Sequence, residues 1–372
     1  MLINDVNDLI CVDCSSDVEL IHAHAKDDIL EHGLLACSGC GRFYAVIDHV
    51  ALMFRKSVFK DYLSDGEREK IERLSYTQAL DDEMAPDEGH QKQLRAANAW
   101  EYQWEVVFPM TREDLDQTEF FGAKGVFWHF LPIDRSLITG ARILVGCGGR
   151  GREAYHLIRH SPKKIFVVEI GRQIYSMRDV VENADDKLVL IRSDVTYHPV
   201  RNNSVDIAIC DHALQHVHDH KSAFNSLANS LNEAGNIVIC VYSWENNFVM
   251  THLVEPIKPL LQVFPLKVQR LISFVPAAAL YLLLKLIYQP LNSALPSLSK
   301  KLPLNTHMMF WAKGNFEHVW LSCFDLIHAP ISYYFRKEEV LSLAEDNNLQ
   351  ISSLTHPNKV LWSLVASKQA NG

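Results

Sequence analysis

The chain has 372 residues, 48% hydrophobic and 22% charged, with a formal net charge of −9. That length exceeds one typical domain and suits a large domain with a smaller one attached. The acidic balance argues against nucleic acid as a partner, because a nucleic-acid footprint needs clustered Lys and Arg to displace counterions. The start, MLINDVNDLI, lacks the basic n-region of a secretory signal, so its eight cysteines are expected in a reducing cytoplasm.

In chain order, residues 1–54 form the first unit. Cys11-x-x-Cys14 and Cys37-x-x-Cys40 are separated by 22 residues, and FYAVIDHVALMF after the second pair reads as a strand. Two such knuckles present four thiolates tetrahedrally, which points to a structural Zn²⁺ stabilising a unit too small to hold itself together by its core. His22 and His24 lie between the knuckles and are expected at the surface. Because the unit carries its own staple, removing the zinc is expected to unfold it and spare the rest.

Residues 55–135 read as a linker and helical cap. A charged helical stretch (SDGEREKIERL) precedes an acidic break (DDEMAPDEG) and an aromatic segment with Trp100, Tyr102, Trp104, Phe108, Phe120, Phe121, Phe127 and Trp128. From 136 to the end, strand and helix patterns alternate. Strands are predicted at 142–146, 164–169, 187–192, 205–210 and 236–242, with helices at 151–160, 172–182 and 219–231. This alternation is the pattern of an α/β, doubly wound parallel sheet that binds ligands at the carboxyl ends of its strands. Residues 244–330 break the pattern and read as an inserted helical lid. Within it, 271–291 (LISFVPAAALYLLLKLIYQPL) is strongly apolar but interrupted by Pro276 and Lys285. It is expected as a buried or lid helix rather than a membrane span, with peripheral lipid contact left open. A helix (RKEEVLSLAEDN) and two strands around HPN close the chain, which predicts a seven-stranded sheet with one reversed strand.

The ligand argument rests on ARILVGCGGRG at 141–151. An apolar strand runs into Gly146, Gly148, Gly149 and Gly151, and a helix follows, the order that brings bare backbone against a nucleotide-like ligand. Three acids fall at the ends of the next three strands. Glu169, with Ile170 after it, suits the two hydroxyls of a ribose, and Asp194, with Val195, suits an adenine amino group; Asp211 faces the same crevice. His216 is the first candidate base, with His212 and His218 behind it, because imidazole tunes easily to neutral pH. Tyr242 is a candidate for the acceptor pocket.

These residues carry a resemblance. VDIAICDHALQHVHDHKSAFNSLANSLNEAGNIVICVYSW resembles the fourth and fifth motifs of class I S-adenosylmethionine-dependent methyltransferases, methyltransferase type 11-like, through Asp206, Leu214, His216, Val217, Asp219, Leu231 and Gly235. GCGGRGRE resembles their glycine loop. The resemblance implies a Rossmann-like fold, S-adenosyl-L-methionine as cofactor and a small-molecule acceptor. CSGCGRFYAVID independently resembles a Trm112-like zinc ribbon, with Ala45 where Pro is usual. One departure stands out: the acid usual two positions before the first glycine of the loop is absent, the position being Leu144, or Val145 if the loop is Cys147-x-Gly149-x-Gly151, so Arg152, Asp211 or backbone must hold the methionine end of the cofactor or affinity is low.

Two alternatives share these residues. Gly146-x-Gly148-x-x-Gly151 with Glu169 also fits a nicotinamide-dependent oxidoreductase, although LNEAGNIVI and the terminal hairpin count against it. The missing acid favours a degenerate, non-catalytic binding module. The apolar lid points to a hydrophobic, lipid-linked or sugar-linked acceptor.

Overall fold

The computed structural model describes residues 1–80, 88–117, 127–182 and 184–369. Most of the acidic break and the stretch 118–126, with Phe120 and Phe121, lie outside the described residues. The strands are β1 (Val18–Lys26), β2 (Ile29–Cys37), β3 (Phe43–Ile47), β4 (Val50–Leu52), β5 (Arg142–Gly146), β6 (Lys164–Glu169), β7 (Leu188–Arg192), β8 (Val205–Asp211), β9 (Leu231–Tyr242), β10 (Leu349–Thr355) and β11 (Leu361–Lys368). All belong to one sheet, in the order β1-β2-β3-β4-β7-β6-β5-β8-β9-β11-β10.

Seven of these strands, β5 to β11, make the doubly wound sheet the sequence predicts. β7, β6, β5, β8 and β9 run parallel, and β11 alone is reversed, antiparallel to both β9 and β10. Their apolar runs are continuous because both faces are covered. Ile143 and Val145 enter the core on one side, and Leu144 enters the core on the other. Strand order reverses between β5 and β8, which opens a crevice at their carboxyl ends.

The amino-terminal unit is not a separate layer. FYAVIDHVALMF is two strands rather than one, because Asp48 and His49 take left-handed backbone (φ 48° and 69°) and turn the chain between β3 and β4. β4 then pairs in parallel with β7, through Val50–Leu190, Ala51–Ile191 and Leu52–Arg192. Ribbon and main sheet therefore share one set of backbone hydrogen bonds.

In the cap, Ser64 starts the helix Asp65–Arg73 with a capping box: its hydroxyl accepts from the Glu67 amide, and the Glu67 carboxylate accepts from the Ser64 amide. The Glu67 carboxylate also pairs with the Arg192 guanidinium at the end of β7, both side chains being buried. The helix predicted at 172–182 is reduced to short turns, Arg172–Ile174 and Met177–Val180, yet Ile174, Met177, Val180 and Val181 are buried as the apolar spacing requires.

The lid is mainly helical, and it closes on a small core of its own that includes Ala277, Leu284, Tyr288 and Val319. Pro276 does not break the helix Leu266–Leu283, which continues through a wide turn to Ala294. That continuous rod is the one helix among the described residues long and apolar enough to cross a membrane. Little of it is buried, so of the two readings of 271–291, buried helix or lid helix, the structure has the lid helix.

Candidate active site

A cavity of about 740 Å³ lies over the carboxyl ends of β5, β6, β8 and β9, walled by cap and lid. Its floor begins at the glycine loop. A Cβ on Gly148 would lie 2.3 Å from the Val167 side chain, and one on Gly151 would lie 2.6 Å from Met177, with Gly151 also at φ +102°. Only glycine lets the loop sit this close to β6. Gly148 and Gly149 line the cavity; Gly146 and Gly151 shape the turn from behind it.

Glu169 ends β6 at this floor, with Ile170 beside it. Its carboxylate accepts from the amides of Gly149 (2.8 Å) and Gly171 (2.9 Å) and from Gln173 Nε2 (3.0 Å). A carboxylate has about four acceptor positions, so one remains for a ligand hydroxyl. Burial pushes the Glu169 carboxyl above its ordinary range, and the amides partly offset this.

Asp194 and Val195 follow β7 but do not line the cavity. One Asp194 oxygen is turned back to cap Val195–Tyr197, accepting from the Thr196 amide and hydroxyl at 2.8 Å each. The other oxygen makes no hydrogen bond among the described residues, and burial raises this carboxyl as well.

The switch point holds a charged chain. The Arg152 guanidinium binds Glu153 (2.9 and 2.6 Å) and the Asp211 carboxylate, whose other oxygen lies 2.6 Å from His212 Nδ1. Burial alone would raise Asp211, but His212 and Arg152 outweigh it and hold the carboxyl below its usual range. Asp211 is therefore a charged acceptor, and His212 Nδ1 carries the proton. Nε2, 3.9 Å from Cys240 Sγ, is left as the basic nitrogen. His212 has left-handed backbone, φ 54°, a strained conformation for a non-glycine residue.

His216 is held differently. Nδ1 lies 2.7 Å from the Ile331 carbonyl and so donates to it; Nε2 is buried and makes no hydrogen bond among the described residues. Trp100 and Tyr242 enclose the ring, at centroid distances of 4.8 and 5.5 Å. Burial lowers its pKa to about 3. His218 is exposed and stands outside the cavity.

Cap and lid supply residues that no motif marked. Asp325 brings to the cavity wall a buried oxygen that makes no hydrogen bond among the described residues and lies 3.8 Å from His328 Nε2, and burial raises this carboxyl. His328 Nε2 donates to Gln103 Oε1 at 2.5 Å behind it. Glu153, which adjoins Arg152, is a further residue that sequence reasoning does not single out. Aromatic density was the one signal for Trp100 and Trp104, both in the wall.

The four cysteine sulfurs of Cys11, Cys14, Cys37 and Cys40 all lie within 4.8 Å of one another. Cys11–Cys40 is 3.6 Å and Cys14–Cys37 is 3.4 Å. Thiolates around a tetrahedral Zn²⁺ stand about 3.8 Å apart, whereas a disulfide needs about 2 Å. The amides of Gly39 and Cys40 point at Cys37 Sγ from 3.3 and 3.4 Å. The donor set fits zinc. His22 and His24 are exposed, as expected.

The sheet order, the reversed β11, the glycine loop and the acid ending β6 together define a class I, Rossmann-like methyltransferase architecture. Residues 143–239, from β5 to β9, match the family described as "Methyltransferase domain", so this stretch of the chain is a methyltransferase domain. No curated protein sequence matches it with significance. Among solved structures, Burkholderia thailandensis 1,6-didemethyltoxoflavin-N1-methyltransferase, with bound 1,6-didemethyltoxoflavin and S-adenosylhomocysteine, is similar at 10% identity and a TM-score of 0.42, covering 78% of this chain and 93% of that one. A SAM-dependent methyltransferase from Aquifex aeolicus has 10% identity and a TM-score of 0.38, covering 69% and 96%. A complex of the Haloferax volcanii Trm112 methyltransferase activator with a methyltransferase has 11% identity and a TM-score of 0.39, covering 66% and 90%.

Proposed function

We propose that the enzyme methylates an O, N or C atom of a small amphipathic acceptor, hydrophobic or linked to a lipid or sugar, in the cavity beneath the lid. The observation that carries this reading is the division of the cavity wall. Leu253, Ile257, Leu280, Met308 and Trp311 make one side apolar, while His216 Nε2 and Asp325 Oδ1 are buried polar atoms that make no hydrogen bond among the described residues. Such atoms are costly unless a ligand completes them. An acceptor with a polar head and an apolar body satisfies both sides.

S-adenosylmethionine, when bound, supplies a methyl group already activated on a sulfonium. In this reading Glu169 takes a ribose hydroxyl beside Ile170, the bare backbone at Gly148 and Gly149 lets the ligand approach, and the second oxygen of Asp194, next to Val195, is kept for the adenine amino group. Arg152 and Asp211 stand in for the carboxylate lost at Leu144 and meet the methionine end.

The chain otherwise orients the acceptor and excludes water. For a hydroxyl acceptor we assign proton removal to His212 rather than His216. Asp211 holds His212 in the tautomer that leaves Nε2 basic and stabilises the imidazolium that forms. An imidazole whose pKa is lowered to about 3 accepts protons poorly, so His216 is left to accept a hydrogen bond from the acceptor. The four cysteines hold a structural Zn²⁺, and the setting is cytoplasmic.

Mass spectrometry of metabolites from cells with and without the gene tests this reading. A lipid-soluble species differing by one methylene, lost in His212→Asn cells, supports it. A water-soluble, strongly ionic product, or no product alongside intact S-adenosylhomocysteine binding, overturns it.

A further inference from the structure

The outer face of the lid is not built for water. Leu260, Val263, Leu271, Val275, Leu282 and Leu286 are each more than half exposed. On the long helix, positions 271, 275, 282 and 286 fall within about 60° around the axis, a continuous apolar stripe. Soluble monomers rarely leave so large an apolar patch open. The opposite side of the helix is committed to the protein: Ser273 accepts a hydrogen bond from Trp320 Nε1 (2.9 Å), and Ala277, Leu284 and Tyr288 belong to the lid core.

Charge identifies the partner. Residues 256–316 contain seven Lys and Arg and no Asp or Glu, in a chain whose net charge is −9. Lys267, Lys300, Lys301 and Lys313 are exposed. We infer that the lid docks on an anionic lipid bilayer, with the long helix lying in the interfacial plane, its leucines among the acyl chains and the lysines at the headgroups.

The other occupants fit less well. A second copy would bring two acid-free, cationic faces together. A spanning helix would have to leave the lid core and carry Lys267, Arg270 and Lys285 into hydrocarbon. An apolar stripe with flanking cations is the composition of a helix that lies on a membrane rather than across it. Pro276 and Leu280 of the same helix also line the cavity, so docking holds the cavity against the lipid. The inference concerns the surface and stands whatever the acceptor is.

Flotation of the full chain with phosphatidylcholine vesicles, with and without phosphatidylglycerol, tests it, with S-adenosylhomocysteine titration as the check on folding. The wild type is expected to float with the phosphatidylglycerol vesicles, to bind pure phosphatidylcholine weakly, and to be released by alkaline carbonate. Leu271→Ser with Leu282→Ser, and separately Lys300→Glu with Lys301→Glu, should each lower partitioning about tenfold or more while ligand binding is kept. The lysine pair is fully on the surface, so it remains informative if the leucine pair misfolds. Three results overturn the inference: wild type that binds ligand yet stays with the aqueous fraction, wild type that resists alkaline extraction as a spanning protein does, or a dimer that the leucine pair dissociates and that ignores vesicles.

Discussion

Disrupting the amino-terminal cysteine cluster should cost the cofactor site as well as the ribbon. The perturbation is Cys37→Ser with Cys40→Ser. Read as a sequence, residues 1–54 are self-contained, and cofactor binding survives their unfolding. The sheet argues the reverse. β4 is hydrogen-bonded to β7 along its length, the Met53 amide donates to the Arg192 carbonyl (2.9 Å), and Ser193 Oγ donates to the Met53 carbonyl (2.7 Å). Val50, Leu52, Met53 and Phe54 are fully buried where ribbon and main sheet meet. At about 1.5–3 kcal/mol for each large apolar side chain, roughly 6–12 kcal/mol of burial goes when β4 leaves. The total stability of a domain is only about 5–15 kcal/mol. The end of β7, which leads into Asp194, would become a bare edge. Metal content by plasma mass spectrometry, thermal unfolding by circular dichroism and titration with S-adenosylhomocysteine measure the three consequences together. The double variant should lose zinc, melt well below the wild type and bind ligand at least about tenfold more weakly. Metal-free protein that binds ligand with wild-type affinity would refute the argument and restore the ribbon's independence.

Glu169→Ala and Asp194→Ala should each weaken S-adenosylhomocysteine binding by about tenfold or more in calorimetry, as loss of a buried charge-assisted hydrogen bond does; unchanged affinity in both would mean the pocket lies elsewhere. Glu67→Gln leaves the buried Arg192 without its counter-charge and should cost about 3–5 kcal/mol by urea unfolding at neutral pH. Burial alone would raise the Glu67 carboxyl, but Arg192 and Ser64 hold it below its ordinary 4.5; its contribution is lost as pH falls through the lowered value, so the gap between wild type and variant should close in acid. His216 works at milder pH. Its pKa is about 3 when folded against an ordinary 6.5, so the unfolded chain takes up the proton first. Stability should then fall by about 1.4 kcal/mol per pH unit from this group as pH drops below 6.5, and His216→Phe should show a shallower decline in urea midpoints between pH 7 and 5.

What the chain disclosed in advance follows from what is local. Gly148 and Gly151 were legible because the turn tolerates no side chain, and Glu169 because it ends an apolar run at a set distance from them. The parallel strands were legible because strands covered on both faces carry unbroken apolar runs. The β3–β4 turn was not, since Asp48-His49 lacks the Asn-Gly signature that marks a tight hairpin. Nor was the β4–β7 pairing, a contact between segments far apart in the chain. The sequence puts His216 ahead of His212 as a base, and our proposal reverses that order. What separates them is the Asp211 carboxylate on one ring and a carbonyl 115 residues downstream on the other. Asp325 and Gln103 carry no motif, and only the folding of lid over cap places them at or behind the cavity wall.

The substitution at Leu144 and the cluster at Arg152 belong to one electrostatic arrangement. Leu144 is fully buried in the apolar layer that holds Phe166, Ala208 and Cys210. A carboxylate on that side chain would lie among groups offering neither counter-charge nor donor, and would be costly there. Glu153 and Asp211 lie one step away, at the start of a helix and the end of β8, with Arg152 bonded to both. Burial pushes Glu153 up, and the Arg152 charge opposes that shift. A lone acid can match only an ammonium, whereas an arginine held between two acids would offer both signs to the zwitterionic methionine end we propose it meets. The site thus keeps its carboxylates where a cation already balances them, and an apolar side chain at 144 is what the layer beneath it requires.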